Sequence, residues 1–112
     1  MSLAAPPGPT SLQPTLDGVR QLLQRAYGPA LARAILFGSQ ARGEGREDSD
    51  IDILVVLRRP STLSEREQVY EALAELCLQR SVVVSLTFVQ ESAYLARNTR
   101  MLANVAREGI AL

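Results

Sequence analysis

The sequence contains no histidine and no lysine, and these two absences exclude several kinds of chemistry. Without histidine, the 112-residue chain cannot form a Ser-His-Asp triad, a histidine general base or a histidine-ligated zinc site. Without lysine, it has no Walker-type phosphate lysine. All twelve basic residues are arginines, so a bound phosphate has to be held by guanidinium groups, hydroxyls and backbone N–H groups.

Cysteine, aromatic residues and net charge are also scarce. The single cysteine, Cys77, cannot form an intrachain disulfide and is expected to pack in the core. The three tyrosines are too dispersed to form a stacking surface for single strands. A formal net charge of zero gives no electrostatic case for nucleic acid or anionic lipid.

No apolar run is long enough for a membrane span, and the N-terminus does not resemble a signal peptide. We therefore expect a cytoplasmic protein with no membrane contact and no direct nucleic-acid binding.

Hydrophobic periodicity predicts one α/β (α+β) domain over residues 12–112, preceded by a disordered lead-in over residues 1–11. Helices are predicted over residues 12–27, 64–79, 91–97 and 99–107, and strands over residues 32–37, 51–57 and 81–89. Together they predict a small mixed sheet of about three strands with helices covering one face. The most apolar strand, 51–57, is expected at its centre. The tail after Gly109 is expected to pack back on the domain.

Two helix starts carry capping signals. Thr10 or Ser11 is predicted to cap the first helix. Ser64 and Glu67 match a capping box, which predicts that the second helix begins after Ser64.

Acidic residues are concentrated at the start of the central strand. The chain has four aspartates, and three of them, Asp48, Asp50 and Asp52, lie within five residues. Strand alternation places Asp50 and Asp52 on one face. A buried sheet has no packing reason to begin in this way, whereas Mg²⁺ binds such hard carboxylate oxygens. The pair therefore predicts a metal site, although a D-x-D pattern alone is common. In the alternative interpretation, Asp50 caps a turn and Asp52 is exposed.

A glycine-containing turn ends the preceding strand. Gly38 permits a close backbone approach. Ser39, at the start of a predicted helical turn over residues 39–42, offers a hydroxyl and backbone N–H groups to a phosphate, and Arg42 can bind a phosphate with its guanidinium. The alternatives are an ordinary turn and a solvated arginine. Phosphate donors beside metal ligands are what phosphoryl or nucleotidyl transfer requires.

These motifs resemble a known family. Gly38-Ser39-Gln-Ala-Arg42-Gly43 followed by Ser49-Asp50-Ile-Asp52-Ile-Leu-Val is similar to the polymerase-beta-type nucleotidyltransferases, especially their minimal branch (MNT), the antitoxin partners of HEPN proteins. Asn104-Val-Ala-Arg-Glu-Gly-Ile is also similar to that branch, so the resemblance covers about residues 12–112.

The resemblance implies a nucleotidyltransferase fold, a nucleoside triphosphate substrate (ATP is expected) and Mg²⁺. It implies catalytic metal ligands at Asp50 and Asp52 and nucleotide-binding residues at Gly38, Ser39 and Arg42. It also implies transfer of a nucleoside monophosphate, AMP in the expected case, to an acceptor. In several such antitoxins the acceptor is a tyrosine of the partner toxin.

One departure from the family leaves two hypotheses open. Fully active members carry a third carboxylate on the strand after the crossover helix, where this chain has Ser85 or Thr87. Glu91, Glu47 and Asp48 are candidate substitutes. The first hypothesis is an antitoxin enzyme that modifies a HEPN-type toxin, and the second is a catalytically weakened module that neutralises its partner by complex formation.

Transfer to a small molecule such as an aminoglycoside is less favoured, because that branch generally carries an additional acceptor-binding domain. A single small domain must take its acceptor site from a partner or from a second copy of itself. We therefore also expect an oligomer.

Overall fold

The architecture is a four-stranded sheet with helices on both faces. A computed structural model describes residues 9–44 and 50–112. Of the predicted lead-in over residues 1–11, residues 1–8 lie outside these ranges and residues 9–11 belong to the first helix. The loop over residues 45–49 also lies outside them. The described helices are α1 (Pro9–Tyr27), α2 (Leu63–Arg80), α3 (Glu91–Ala96) and α4 (Arg100–Glu108), and the strands are β1 (Leu31–Phe37), β2 (Ile51–Leu57), β3 (Val84–Gln90) and β4 (Ile110–Ala111). A short 3₁₀ turn, Gly28–Ala30, joins α1 to β1.

The sheet is mixed, as the sequence predicts, and its strand order is β3-β2-β1-β4. β1 runs antiparallel to β2 and β4, whereas β2 and β3 are parallel and are connected by the crossover helix α2. The expected central position of β2 is confirmed. The tail after Gly109 packs back by adding a short fourth strand, in which Ile110 is paired with Leu36.

The prediction that helices cover only one face of the sheet is wrong. One face of β2 packs against α1 and α2 through Ile51, Ile53 and Val55. The other face, through Leu54 and Val56, packs against Leu102 and Val105 of α4 and Tyr94 of α3. The physical reason is that β2 carries apolar side chains at both its odd-numbered and its even-numbered positions. Both of its faces therefore have to be buried.

The predicted caps of α1 and α2 are also wrong. α1 begins at Pro9, so Thr10 and Ser11 lie within the helix. The N-cap of α2 is Thr62.

A capping box fixes the start of α2. The Thr62 hydroxyl accepts a hydrogen bond from the Glu65 N–H at 3.1 Å, and the Glu65 carboxylate accepts one from the Thr62 N–H at 2.9 Å. Glu65 also binds Arg59 at 2.7 Å. The Arg59 guanidinium, followed by the Thr62 N–H, lowers the pKa of Glu65 to about 2. The Thr-x-x-Glu pattern is favoured over the overlapping Ser64-x-x-Glu67 pattern because, among the described residues, Glu65 has an additional charged partner and Glu67 has none.

The predicted break between the two C-terminal helices is confirmed. α3 ends at Ala96, and its C-cap residue, Arg97, adopts a left-handed conformation with φ 51°. α4 begins after Thr99, whose hydroxyl accepts a hydrogen bond from the Leu102 N–H at 3.1 Å. Across residues 9–44 and 50–112, no helix combines the length and the apolar character that crossing a membrane requires.

Replacing the observed cap and the sequence-predicted cap should have different effects. Thr62→Ala should lower the free energy of unfolding by about 1 kcal/mol, because the Glu65 N–H loses its acceptor. Ser64→Ala should change it by less than about 0.5 kcal/mol, because Ser64 is an exposed residue inside the helix. Urea unfolding of both variants measures the difference. Equal losses would contradict the assignment of Thr62 as the cap.

Candidate active site

The two aspartates lie at the end of the sheet where β1 stops and β2 begins. Asp50 immediately precedes β2 and is exposed, whereas Asp52 is half-buried within the strand. Asp52 lies opposite Phe37 of β1 and beside Ser85 of β3. By strand alternation, Asp52 shares the face of Leu54, which packs against α4. The candidate metal ligands therefore belong to the face that α3 and α4 cover.

Gly38 makes room for the Asp52 carboxylate. Gly38 has φ +79°, and a Cβ atom built on it would lie 2.6 Å from Asp52 Oδ2. A carboxylate oxygen therefore occupies the space that a side chain at residue 38 would fill. This contact joins the turn after β1 to the start of β2.

The environment of Asp52 favours a bound cation. Burial, and secondarily the charge of Asp50, raise the pKa of Asp52 above its ordinary value. Within the described ranges, no hydrogen bond or ion pair satisfies either carboxylate. Two neighbouring carboxylates with hard oxygen atoms and no cationic partner form a donor set that fits Mg²⁺.

The protein supplies only part of such a coordination shell. In the described parts of the chain, no group of three or more histidine, cysteine or acidic side chains could hold a metal ion. Mg²⁺ is commonly bound through one or two carboxylates, with water and substrate phosphates as further ligands. The pair Asp50 and Asp52 fits that kind of site.

The turn after β1 is hydrogen-bonded in the region where a helical turn is predicted. The N–H groups of Ala41 and Arg42 donate to the Gly38 carbonyl at 3.2 and 3.3 Å. The N–H of Glu44 donates to the Ser39 carbonyl at 2.9 Å. This turn places Ser39 and Arg42 next to Gly38, so the three predicted nucleotide-binding residues lie together.

Two carboxylates contact Arg42. Its Nε atom lies 3.0 Å from Glu44 Oε1, and its Nη1 atom lies 3.5 Å from Glu108 Oε2 at the end of α4. Glu44, and to a smaller extent Glu108, raise the pKa of Arg42. The guanidinium that is predicted to bind phosphate is therefore occupied by acidic side chains in this structure.

A cavity of about 120 Å³ lies between this turn and α4. It is lined by Phe37, Gly38, Arg42, Met101, Asn104, Val105 and Glu108. The four α4 residues are not among the site residues that the sequence predicts. Their spacing, 101, 104, 105 and 108, is the signal of one helix face, but the sequence does not reveal that this face meets the turn at Gly38.

The strand after the crossover helix supplies no carboxylate beside Asp52. The register pairs Asp52 with Ser85, which is exposed, and Leu54 with Thr87. Of the two residues considered for the third carboxylate position, Ser85 is therefore the neighbour of Asp52.

The suggestion that Glu91 substitutes for the third carboxylate is wrong. Glu91 follows β3 at the opposite end of the sheet, six residues beyond Ser85 and thus about 20 Å away. Its carboxylate lies 3.9 Å from Arg58 Nε. The other two candidates, Glu47 and Asp48, lie outside the described residues.

Gly38 and Gly43 provide a matched test of the contact with Asp52. Both have positive φ, +79° and +74°, but a Cβ at Gly43 would meet no atom of the described residues within 4 Å. Gly43→Ala should therefore cost only the backbone strain, about 1–2 kcal/mol. Gly38→Ala should cost about 1–3 kcal/mol more because its methyl group displaces Asp52. Chemical denaturation measures both, and equal costs would argue against the contact.

Three comparisons relate this chain to known proteins. A profile of the family described as "Nucleotidyltransferase domain" matches residues 16–104. A solved structure of a candidate minimal nucleotidyltransferase is 30% identical, with a TM-score of 0.67 over 97% of this chain and 100% of that one. A candidate protein adenylyltransferase of Methanocaldococcus jannaschii is 36% identical over 55 residues, which are 49% of this chain and 56% of the relative. The match thus spans little more than half the length of that relative.

A more distant similarity concerns the fold alone. In the solved complex of a tri-AMPylated HEPN toxin with its MNT antitoxin from Shewanella oneidensis, the matching chain is 22% identical. Its TM-score is 0.54 over 88% of this chain and 69% of that one. The family profile and the minimal nucleotidyltransferase structure each match most of this chain, and they agree with the resemblance found in the sequence. The chain belongs to the nucleotidyltransferase domain family and has the fold of its minimal members.

Proposed function

We propose that this protein is a Mg²⁺-dependent nucleotidyltransferase that transfers AMP from ATP to a hydroxyl group of a protein acceptor. One observation carries the proposal: the Asp52 carboxylate packs directly on Gly38, the first residue of the turn that bears Ser39 and Arg42. Candidate metal ligands and candidate phosphate donors therefore meet at one point of the fold.

Each residue has a role that follows from its chemistry. Asp50 and Asp52 would hold Mg²⁺, which when bound neutralises phosphate charge and polarises the reacting phosphate. Ser39, through its hydroxyl and backbone N–H, and Arg42, through its guanidinium, would bind the β- and γ-phosphates. Gly38 keeps the space between these two groups free of a side chain.

The reaction forms one bond and breaks one. The acceptor hydroxyl oxygen attacks the α-phosphorus atom, and the bond to the bridging oxygen of pyrophosphate breaks. The hydroxyl proton leaves to solvent or to a group of the acceptor protein, since β3 offers only Ser85 beside Asp52. The products are the adenylylated acceptor and pyrophosphate.

The similar proteins support a protein acceptor. One relative is named as a candidate protein adenylyltransferase, and a fold neighbour was solved with an AMPylated HEPN toxin. We accordingly propose a HEPN-type toxin as partner and acceptor, in the manner of an antitoxin. Assembly with that partner or with a second copy of the chain would complete the acceptor site. The cytoplasmic location and the absence of direct nucleic-acid binding stay predictions.

A second candidate function is a binding module that neutralises its partner without turnover. The observation that favours it is Ser85, an exposed hydroxyl at the register position beside Asp52. A carboxylate there would give a third metal ligand at the same end of the sheet. With serine, nucleotide binding through Asp50 and Asp52 is retained, but activation of the acceptor is weaker.

Asp52→Asn should abolish transfer without unfolding the protein. Wild type incubated with Mg²⁺, a HEPN-type partner and α-labelled ATP should label the partner, whereas γ-labelled ATP should not. Asp52→Asn should reduce labelling at least about 100-fold.

The same variant should be more stable than wild type without metal. Burial and Asp50 raise the pKa of Asp52 in the folded state, so its ionised form opposes folding. Asp52→Asn should therefore unfold at a higher temperature in a thermal scan.

Asp17→Asn is the matched control, because Asp17 lies on α1, which packs on the other face of the sheet. It should label the partner like wild type. Full labelling by Asp52→Asn would reject the proposed metal site.

Ser85→Asp should increase transfer. The new carboxylate would stand beside Asp52 and could bind a metal ion that activates the acceptor hydroxyl, so labelling should rise about 10-fold or more. Thr87→Asp is the control, because Thr87 is paired with Leu54 instead of Asp52. If wild type binds the partner without labelling it and only Ser85→Asp labels it, the protein is the binding module. Unchanged or lower labelling with Ser85→Asp would contradict the role assigned to this position.

A further inference from the structure

Glu108, the last residue of α4, reaches the turn that we assign to the triphosphate. Its Oε2 atom lies 3.5 Å from Arg42 Nη1, while Glu44 Oε1 lies 3.0 Å from Arg42 Nε. One guanidinium therefore has two carboxylate partners, and these three groups together carry a charge of −1. This is an unfavourable balance at a place where an anionic triphosphate would bind.

Backbone packing fixes the position of Glu108. The N–H of the next residue, Gly109, donates to the Val105 carbonyl at 2.8 Å. A Cβ on Gly109 would lie 2.5 Å from Ile35 Cγ2, so its backbone rests on β1. The following strand β4 is then paired with β1. The end of α4 is thus attached to β1, the strand that leads into the turn at Gly38, and the contact with Arg42 arises from this architecture.

The contact is weak enough for a nucleotide to replace it. The side chains of Arg42 and Glu108 are 43% and 40% exposed, and ion pairs at such positions contribute little. A triphosphate carries several negative charges and can accept two parallel hydrogen bonds from one guanidinium. Of the two carboxylates, Glu108 is the one at the longer distance and the one that lines the cavity beside Gly38.

We propose that Glu108 is a positioning residue that acts through Arg42. It holds the guanidinium in the nucleotide-free protein and lowers the affinity for nucleoside triphosphate, because Arg42 exchanges Glu108 for a phosphate when nucleotide binds. This inference rests on the proposed function. It adds that nucleotide binding releases a contact at the end of α4 and so links the triphosphate turn to the C-terminal helix.

Glu108→Gln tests the exchange, since it keeps the size of the side chain and removes its charge. Calorimetric titration with Mg²⁺ and a non-hydrolysable ATP analogue should show a dissociation constant roughly three-fold lower than that of wild type. Glu75→Gln makes the same charge change on an exposed residue of α2, on the other face of the sheet, and should leave the constant unchanged. Thermal unfolding verifies that both variants are folded.

The Arg42→Ala background separates this mechanism from a general charge effect. Arg42→Ala alone should weaken binding, and adding Glu108→Gln to it should change the dissociation constant no further. Equal tightening in both backgrounds would overturn the inference, as would an unchanged or weaker affinity of Glu108→Gln alone. If wild type itself binds no nucleotide, the proposed function fails and this inference fails with it, and that outcome is visible before any Glu108 variant is measured.

Discussion

The contact between the Asp52 carboxylate and the backbone of Gly38 is the constraint on which the site depends. It requires glycine at residue 38, because any Cβ there would lie 2.6 Å from an aspartate oxygen. It also requires β1 and β2 to be paired in the observed register, which sets Phe37 opposite Asp52. A shift by one residue would turn Asp52 to the opposite face of β2, where its carboxylate would meet the apolar core under α1 and α2. Core packing thereby positions the candidate metal ligands against the candidate phosphate turn.

The same arrangement has an electrostatic cost that matches its proposed use. Asp52 is half-buried beside Asp50, and burial together with that neighbouring charge raises its pKa. On the adjacent turn, Arg42 is already neutralised by Glu44 and Glu108. Without ligands the site therefore has an excess of negative charge. Such a site favours a divalent cation and a nucleotide that arrive together, because the cation compensates both the aspartates and the phosphates.

The sequence predicts the fold well wherever a local pattern decides the structure. The apolar run Ile51–Leu57 indicates the central strand, and the break near Asn98 separates the last two helices. The prediction of a single covered face is wrong because β2 carries apolar side chains on both of its faces. The predicted cap of α2 is wrong because two capping patterns overlap and, in the part of the chain that the structure describes, Glu65 and not Glu67 has a charged partner, Arg59.

In the candidate site, too, a local sequence pattern identifies some residues and misses others. Gly38, Ser39, Arg42, Asp50 and Asp52 lie within fifteen residues of one another, so motif and spacing identify them together. Glu108 is distant in sequence from Arg42, and no local pattern relates the two. Their contact depends on β4, a two-residue strand that attaches the end of α4 to β1. Contacts of this kind are visible only once the chain is folded.

The division of the core into two clusters also bears on motion. The cluster under α1 and α2 is the larger, whereas α4 is attached to the sheet mainly through Leu102 and Val105. Segments with fewer buried apolar contacts open at a smaller free-energy cost than the main core. The layer beside the candidate site can therefore loosen on its own while the sheet and the opposite layer stay folded. One helical layer of this protein thus holds the sheet that carries the candidate metal ligands, and the other layer, beside the candidate site, opens at a smaller free-energy cost.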